Sequence, residues 1–284
     1  MTPVRDPGAR ESRLNSEDKA IAWIVDEVYQ RSRIRLHEGK ETLIRTRLGK
    51  RMRKLGIPTL PEYCSYLQRS GDSDEFTHML DALTTNFTNF LREEAHFQFL
   101  VKDALPSLLA GGQKQFTVWS AACATGEEPY SLAIYLAEHF PLAQGWDWHI
   151  LATDISTKAL GKAREGVFQA ERVSTVPQAW VRNHFQKGSG EWAGWYRIKP
   201  ELKERIQFEQ FNLLGSSEPA QKFQTVFCRN VMIYFDRQTQ EQLAARLARC
   251  LVPQGYLMIG HAESLNGLQL PYRLVKPSIY QLPR

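Results

Sequence analysis

Val118-Trp119-Ser120-Ala121-Ala122-Cys123-Ala124-Thr125-Gly126-Glu127-Glu128-Pro129-Tyr130-Ser131 carries the end of an apolar run, a block of small residues and a pair of acids in fourteen positions. An apolar run from Phe116 to Trp119 predicts a buried strand, and the periodic segment from Leu132 to Phe140 predicts a helix. Between them lie small residues and Gly126. Strand, tight turn, helix is how open α/β sheets make a nucleotide-sized crevice at the carboxyl end of a strand. Ala122 and Gly126 let backbone approach a ligand closely, and glycine takes a positive φ without steric cost. Glu127 and Glu128 stand where a phosphate site needs amides and no anions. The expected ligand is therefore nucleoside-like, lacks a pyrophosphate, and is compatible with a positive charge.

Working outward, Trp148 to Thr153 predicts a second strand ending in Asp154. A carboxylate there can accept from ribose hydroxyls, or it can cap a helix over Ser156–Arg164. Further strands are expected at Ile206–Phe211, Phe223–Cys228 and Tyr256–Gly260, with a helix at Thr239–Leu251 and a closing hairpin near Tyr272–Leu282. Residues 95–284 thus read as a mostly parallel sheet with helices on both faces. The rhythm breaks at about 166–202. There Gly188, Gly190 and Gly194 interleave with Trp192, Trp195 and Tyr196, which predicts a small antiparallel insertion. Its edge can take an extended peptide, or its aromatics can simply pack on the main sheet.

Upstream, residues 16–84 read as all-helical, with 1–15 as a disordered lead-in. The 284-residue chain carries +5, yet Arg31 to Lys54 alone holds ten basic residues against two acidic ones. Arg45, Arg47, Lys50, Arg51, Arg53 and Lys54 are therefore candidates for an acidic partner, with a merely solvated face as the alternative. Residues 85–94 form a polar and aromatic link. Its Asn86, Thr88 and Arg92 offer amide, hydroxyl and guanidinium groups as a lid over the crevice, or serve as turn and cap residues for the next helix. Four cysteines without ligand spacing indicate free thiols in a cytoplasmic protein and no metal. No run reaches the ~20 apolar residues of a membrane span.

Five stretches now combine: Leu83 to Glu93, Ser120 to Ser131, Ala152 to Ile155, Phe227 to Phe235 and Gly260-His261-Ala262-Glu263-Ser264. In these, and in their order, the chain resembles the chemotaxis receptor methyltransferases, the CheR family, over nearly its whole length. Leu91 and Ala262 depart from the residues many members carry, which touches local packing only. The resemblance implies a Rossmann-like class I methyltransferase sheet with an N-terminal all-α domain. It also implies methyl transfer from S-adenosylmethionine to chemoreceptor glutamates, giving γ-methyl esters and S-adenosylhomocysteine. Cofactor contacts carried over by motif are Asn86, Thr88, Arg92, Glu128, Asp154, Asn212, Leu213, Arg229 and Asn230. Arg92 and Tyr234 are the candidates for the reacting centre, with holding the cofactor's methionine end as the other reading. His261 is expected to be structural, since this reaction has no proton to remove. The implied partner is the receptor's cytoplasmic helical domain, and in some members its C-terminal peptide on the β insertion. An RNA methyltransferase and a non-enzymatic S-adenosylmethionine-binding adaptor are the rival readings; nucleic acid is not the expected partner.

Overall fold

The computed structural model describes residues 7–36, 39, 41–70, 73–84 and 86–284, which divide between two compact units, 1–85 and 86–284. The first unit is helical: α1 (Pro7–Ser32), α2 (Glu41–Leu55), α3 (Leu60–Ser70) and α4 (Ser73–Leu83). α1 begins before Ser16, the expected start, so part of the expected lead-in is helical backbone, while residues 1–6 lie outside the described residues. Ile24, Val28, Ile44, Leu48, Tyr63 and Met79 are fully or almost fully buried and form the centre of this unit. On α2 the buried positions are Ile44, Leu48 and Met52, with Leu43 and Leu55 half-buried at the rim.

The second unit opens with α5 (Ala95–Phe99), a π-helical turn (Leu100–Ala104) and α6 (Leu105–Leu108). Then follow β1 (Gln115–Ala121), α7 (Glu127–His139), β2 (Asp147–Asp154) and α8 (Thr157–Glu165). After these come β3 (Val167–Gln169), α9 (Ala170–Val173), α10 (Gln178–His184), β4 (Phe185–Lys187), β5 (Trp195–Ile198) and α11 (Pro200–Lys203). The chain closes with β6 (Ile206–Gln210), β7 (Phe223–Cys228), α12 (Arg237–Cys250), β8 (Leu251–Met258), β9 (Arg273–Lys276) and β10 (Ile279–Gln281).

Seven strands form one sheet in the order β6-β2-β1-β7-β8-β10-β9. β6, β2, β1, β7 and β8 run parallel, and β10 runs against its neighbours β8 and β9. Every residue of β7 is buried, as a central strand covered on both faces requires. The order reverses between β1 and β7, and that switch point is where an open α/β sheet holds its ligand. The predicted insertion is a separate three-stranded antiparallel sheet, β3-β5-β4. Its glycines explain themselves locally. A Cβ on Gly188 would stand 2.2 Å from the Trp192 carbonyl oxygen, and Gly190 and Gly194 both take positive φ in the connection from β4 to β5.

Candidate functional site

The turn after β1 is pulled against the end of β2. Ala122 and Cys123 both donate their amides to the Thr153 carbonyl at 2.8 Å. Asp154 accepts from the Ala124 amide at 2.9 Å and from the Ser156 amide at 2.8 Å. It therefore ties two strand ends together, while Ser156, not Asp154, caps α8 through the Ala159 amide. Ala122, Ala124 and Gly126 have φ of 72°, 50° and 101°. A Cβ on Gly126 would lie 3.0 Å from the Ala163 backbone, so this position needs glycine for space and conformation alike.

The two acidic residues of the turn diverge. Glu127 is buried, takes the Thr125 hydroxyl at 2.6 Å and pairs with Arg172. Glu128 accepts from Ser120 Oγ at 2.8 Å and from Arg229 Nη1 at 3.0 Å. Burial raises the Glu128 carboxyl above its usual range, against the pull of Arg229 and Ser120.

Arg229 is a hub. Its side chain is 1% exposed, and its nitrogens hold Glu93 at 3.0 Å, Glu128 at 3.0 Å and the Arg92 carbonyl. Phe97 and Phe227 lie within 6 Å of the guanidinium carbon. Motif carry-over makes Arg229 a cofactor contact; in the structure each of its guanidinium nitrogens also lies on a protein oxygen. Burial alone would raise the Glu93 carboxyl, but the neighbouring Arg229 cation holds it below its ordinary value.

Glu263 received no role from sequence, yet it fixes the loop after β7. Its two oxygens accept from the backbone amides of Gly260 (2.5 Å), Asn230 (2.9 Å), Met232 (2.7 Å) and Ile233 (3.3 Å). Asn230, at φ 58°, also donates its side-chain amide to Glu93 at 3.3 Å. The 86–94 segment, read as a lid or as turn and cap residues, is fastened at several points. Phe90 packs edge-on against Phe168 and Phe185, Leu91 donates to Ser131 Oγ at 2.9 Å, and the Thr88 carbonyl accepts from Arg172 at 2.8 Å.

The predicted residues of this unit are gathered mainly by one sheet edge. Ala122, Gly126 and Glu128 follow β1, Asp154 ends β2, and Asn212 and Leu213 follow β6. Arg229, Asn230 and Tyr234 follow β7, and Glu263 follows β8. Asn86 joins them by donating to Ser156 Oγ at 3.1 Å. Arg92 stays 36% exposed, its Nη1 3.4 Å from the Phe87 carbonyl and its Nε 4.0 Å from Glu93. Tyr234 is half-buried, and Asn212 closes its own turn by accepting from the Leu214 amide. Five of the eight non-glycine residues with positive φ among those described lie here: Leu91, Glu93, Ala122, Ala124 and Asn230. Backbone held in this sparsely populated region concentrates where function over-determines geometry.

Glu93, His96 and His261 have ligand atoms within 4.8 Å of one another. Glu93 is already engaged by Arg229 and Asn230, and the adjacent guanidinium opposes a second cation. In the helical unit the basic residues divide. Arg45 pairs with Glu17 and Asp18, Arg47 donates to the Leu83 and Thr84 carbonyls, and Arg51 forms a fork on Glu75, which Tyr63 also bonds. Lys50, Arg53 and Lys54 are exposed. Three of the six candidate residues are thus engaged within the helical unit, and three face solvent.

A family profile described as CheR methyltransferase, SAM binding domain matches residues 86–280, and one described as CheR methyltransferase, all-alpha domain matches residues 19–84. This chain belongs to the CheR methyltransferase family. The chemotaxis protein methyltransferase of Salmonella typhimurium is 37% identical to this CheR-family chain over 273 residues, covering 96% of this chain and 93% of that protein. Chemotaxis protein methyltransferase 2 of Pseudomonas aeruginosa is 36% identical over 280 residues, covering 98% of each. Residues 86–280 are accordingly the S-adenosylmethionine-binding methyltransferase domain of a CheR enzyme. No helix among the described residues is long and apolar enough to cross a membrane.

Proposed function

We propose that this CheR-family enzyme transfers a methyl group from S-adenosylmethionine to glutamate carboxylates on the cytoplasmic helical domain of chemoreceptors, in the cytoplasm, forming γ-methyl esters. The observation that carries this reading is the convergence of Asp154, Glu128, Asn212 and the Glu93–Arg229–Asn230 cluster along the carboxyl ends of parallel strands, with Arg92 left partly exposed beside them.

The residues fit the cofactor. Glu127 is turned into its Arg172 pair, so the turn presents no uncompensated acid. Asp154 and Glu128 place carboxylates, good acceptors for ribose hydroxyls and an adenine amine, at the end of β2 and after the end of β1. Bound S-adenosylmethionine supplies a methyl group on a cationic sulfur. The acceptor glutamate is already ionised at neutral pH, so no side chain has to remove a proton. Stripping water from that carboxylate is costly unless donors replace the lost hydrogen bonds. In our reading Arg92 supplies the guanidinium fork and Tyr234 a phenol, and together they hold the carboxylate oxygen in line with the methyl carbon. Such alignment is worth on the order of 7–11 kcal/mol of the barrier.

Exposed Lys50, Arg53 and Lys54 serve to steer the acidic receptor surface, and an outer strand of the β3-β5-β4 sheet offers an edge to an extended receptor peptide. A grip on RNA phosphates is poorly served, because Arg45, Arg47 and Arg51 are spent inside the helical unit. The deciding assay combines labelled cofactor with receptor membranes and scores alkali-released methanol. Arg92→Ala is expected to lower turnover by about 10²–10³-fold while S-adenosylhomocysteine affinity changes far less. Equal losses in both would assign Arg92 to cofactor holding.

A further inference from the structure

Six large apolar side chains stand exposed among the described residues: Phe87, Leu142, Trp192, Ile233, Leu274 and Val275. Scattered exposed apolar residues need no explanation. Two of these six, however, fall on the two loops that carry Arg92 and Tyr234.

Phe87 is 64% exposed and lies between Asn86 and Thr88, and its carbonyl accepts from the Arg92 guanidinium at 3.4 Å. Ile233 is 45% exposed and immediately precedes Tyr234. Glu93 bonds both Arg229 and Asn230, so the two loops are fastened side by side. Both residues are anchored, Phe87 through its ring and Ile233 through its backbone. The Phe87 ring stands 5.8 Å from the guanidinium of Arg172, which is itself fixed by Glu127 and the Thr88 carbonyl. The Ile233 amide is held by Glu263. The fold gains little burial from either side chain, yet both are carried on the anchored loops that bear the groups proposed to grip a carboxylate.

We infer that Phe87 and Ile233 are apolar flanks of the acceptor-docking surface, and that the receptor segment they receive carries small or aliphatic side chains beside the glutamate to be methylated. The inference deepens the proposed function and rests on it. Apolar contact on either side of the reacting carboxylate contributes binding energy that the charge alone cannot, since burial is favourable in proportion to the area removed from water. The same contact keeps bulk water away while Arg92 and Tyr234 replace the lost hydration. A glutamate in an all-polar helix face would forgo both effects.

The test uses the full chain with Phe87→Ser, Ile233→Ser and the double variant, plus Phe87→Leu and Ile233→Leu as apolar controls. Methyl transfer is followed against receptor-membrane concentration, and S-adenosylhomocysteine affinity is measured by calorimetry. Each serine variant is expected to raise KM for receptor by about tenfold, the effect of losing one well-buried apolar contact. S-adenosylhomocysteine Kd should stay at the wild-type value, kcat at saturating receptor should fall far less than KM rises, and the leucine variants should restore KM. Unchanged KM in the double variant overturns the inference while leaving the proposed function standing. A loss of S-adenosylhomocysteine affinity matching the loss in kcat/KM overturns it too, because the side chains would then serve the cofactor. A wild-type chain that leaves receptor unmethylated overturns the proposed function and the inference together.

Discussion

Replacing Arg229 by methionine leaves Glu93 and Glu128 facing each other without the cation that separates them. Removing one member of a buried ionic cluster costs about 3–5 kcal/mol, because the remaining charges are stranded. We therefore expect Arg229→Met to unfold the second unit at markedly lower urea, and cofactor binding to fail with it. A variant of native stability that lacks only affinity would restore Arg229 as a ligand contact. At this scale the sequence was partly legible. Gly126 and Asp154 could be found because a strand, a small-residue turn and a strand-end acid leave a local pattern. Glu263 could not, since its partners are backbone amides up to 33 residues away and bear no side-chain signature. Arg229 was found by motif, but its pairing with Glu93 and Glu128 was not, because a motif does not say which acids a guanidinium meets.

Among the elements, α2 separates charge from availability. Ile44, Leu48, Arg51, Met52 and Leu55 follow one another at helical spacing, so Arg51 falls on the apolar stripe and reaches Glu75. That placement was readable from periodicity, whereas charge counting alone hid it. Reversing charge at the exposed positions, with Lys50→Glu, Arg53→Glu and Lys54→Glu combined, should raise KM for receptor several-fold at low salt. The difference should shrink as ionic strength rises, while the melting of the helical unit stays near wild type. Arg51→Glu should behave oppositely, collapsing the helical unit by setting two carboxylates against each other beside Tyr63. If the exposed triple variant methylates receptor normally at low salt, α2 has no steering role. The π-helical turn between α5 and α6 was not anticipated, since an extra residue per turn leaves the apolar pattern almost unchanged.

For the molecule as a whole, acid stability follows from His96. Its side chain is 1% exposed, and neither ring nitrogen has a hydrogen-bond partner among the described residues. Burial, reinforced by Arg229 and His261 and opposed by Glu93, pushes its pKa from 6.5 down to about 3. Below pH 6.5 the unfolded chain takes up a proton there and the folded chain does not, so stability falls as pH falls. The slope is about 1.4 kcal/mol per pH unit. Glu93 stays ionised through this window, because its carboxyl lies below the usual value, whereas Glu128 and Glu263 are raised and work in the other direction. The check is therefore a difference: His96→Phe should lose less stability than wild type between pH 7 and pH 5. Tryptophan fluorescence is a fitting readout, since six of the seven tryptophans lie beyond residue 86. Parallel pH dependences would show that His96 is not the sensitive group. The architecture itself, helical unit, seven-stranded sheet and antiparallel insertion, was legible from hydrophobic period and turn residues, because those patterns are local.

The anchoring of the Tyr234 loop by Glu263 also bears on how the chain is born. Ile233 leaves the ribosome 30 positions ahead of the acid that holds its amide, which at roughly 5–20 residues per second is a lag of a few seconds. During that interval the first parallel strands are available to pair, while the loop bearing the phenol waits for its clamp. A chain truncated ahead of Glu263 is therefore expected to leave the loop without its anchor, and a truncated product that still transfers labelled methyl groups would show the anchor to be dispensable.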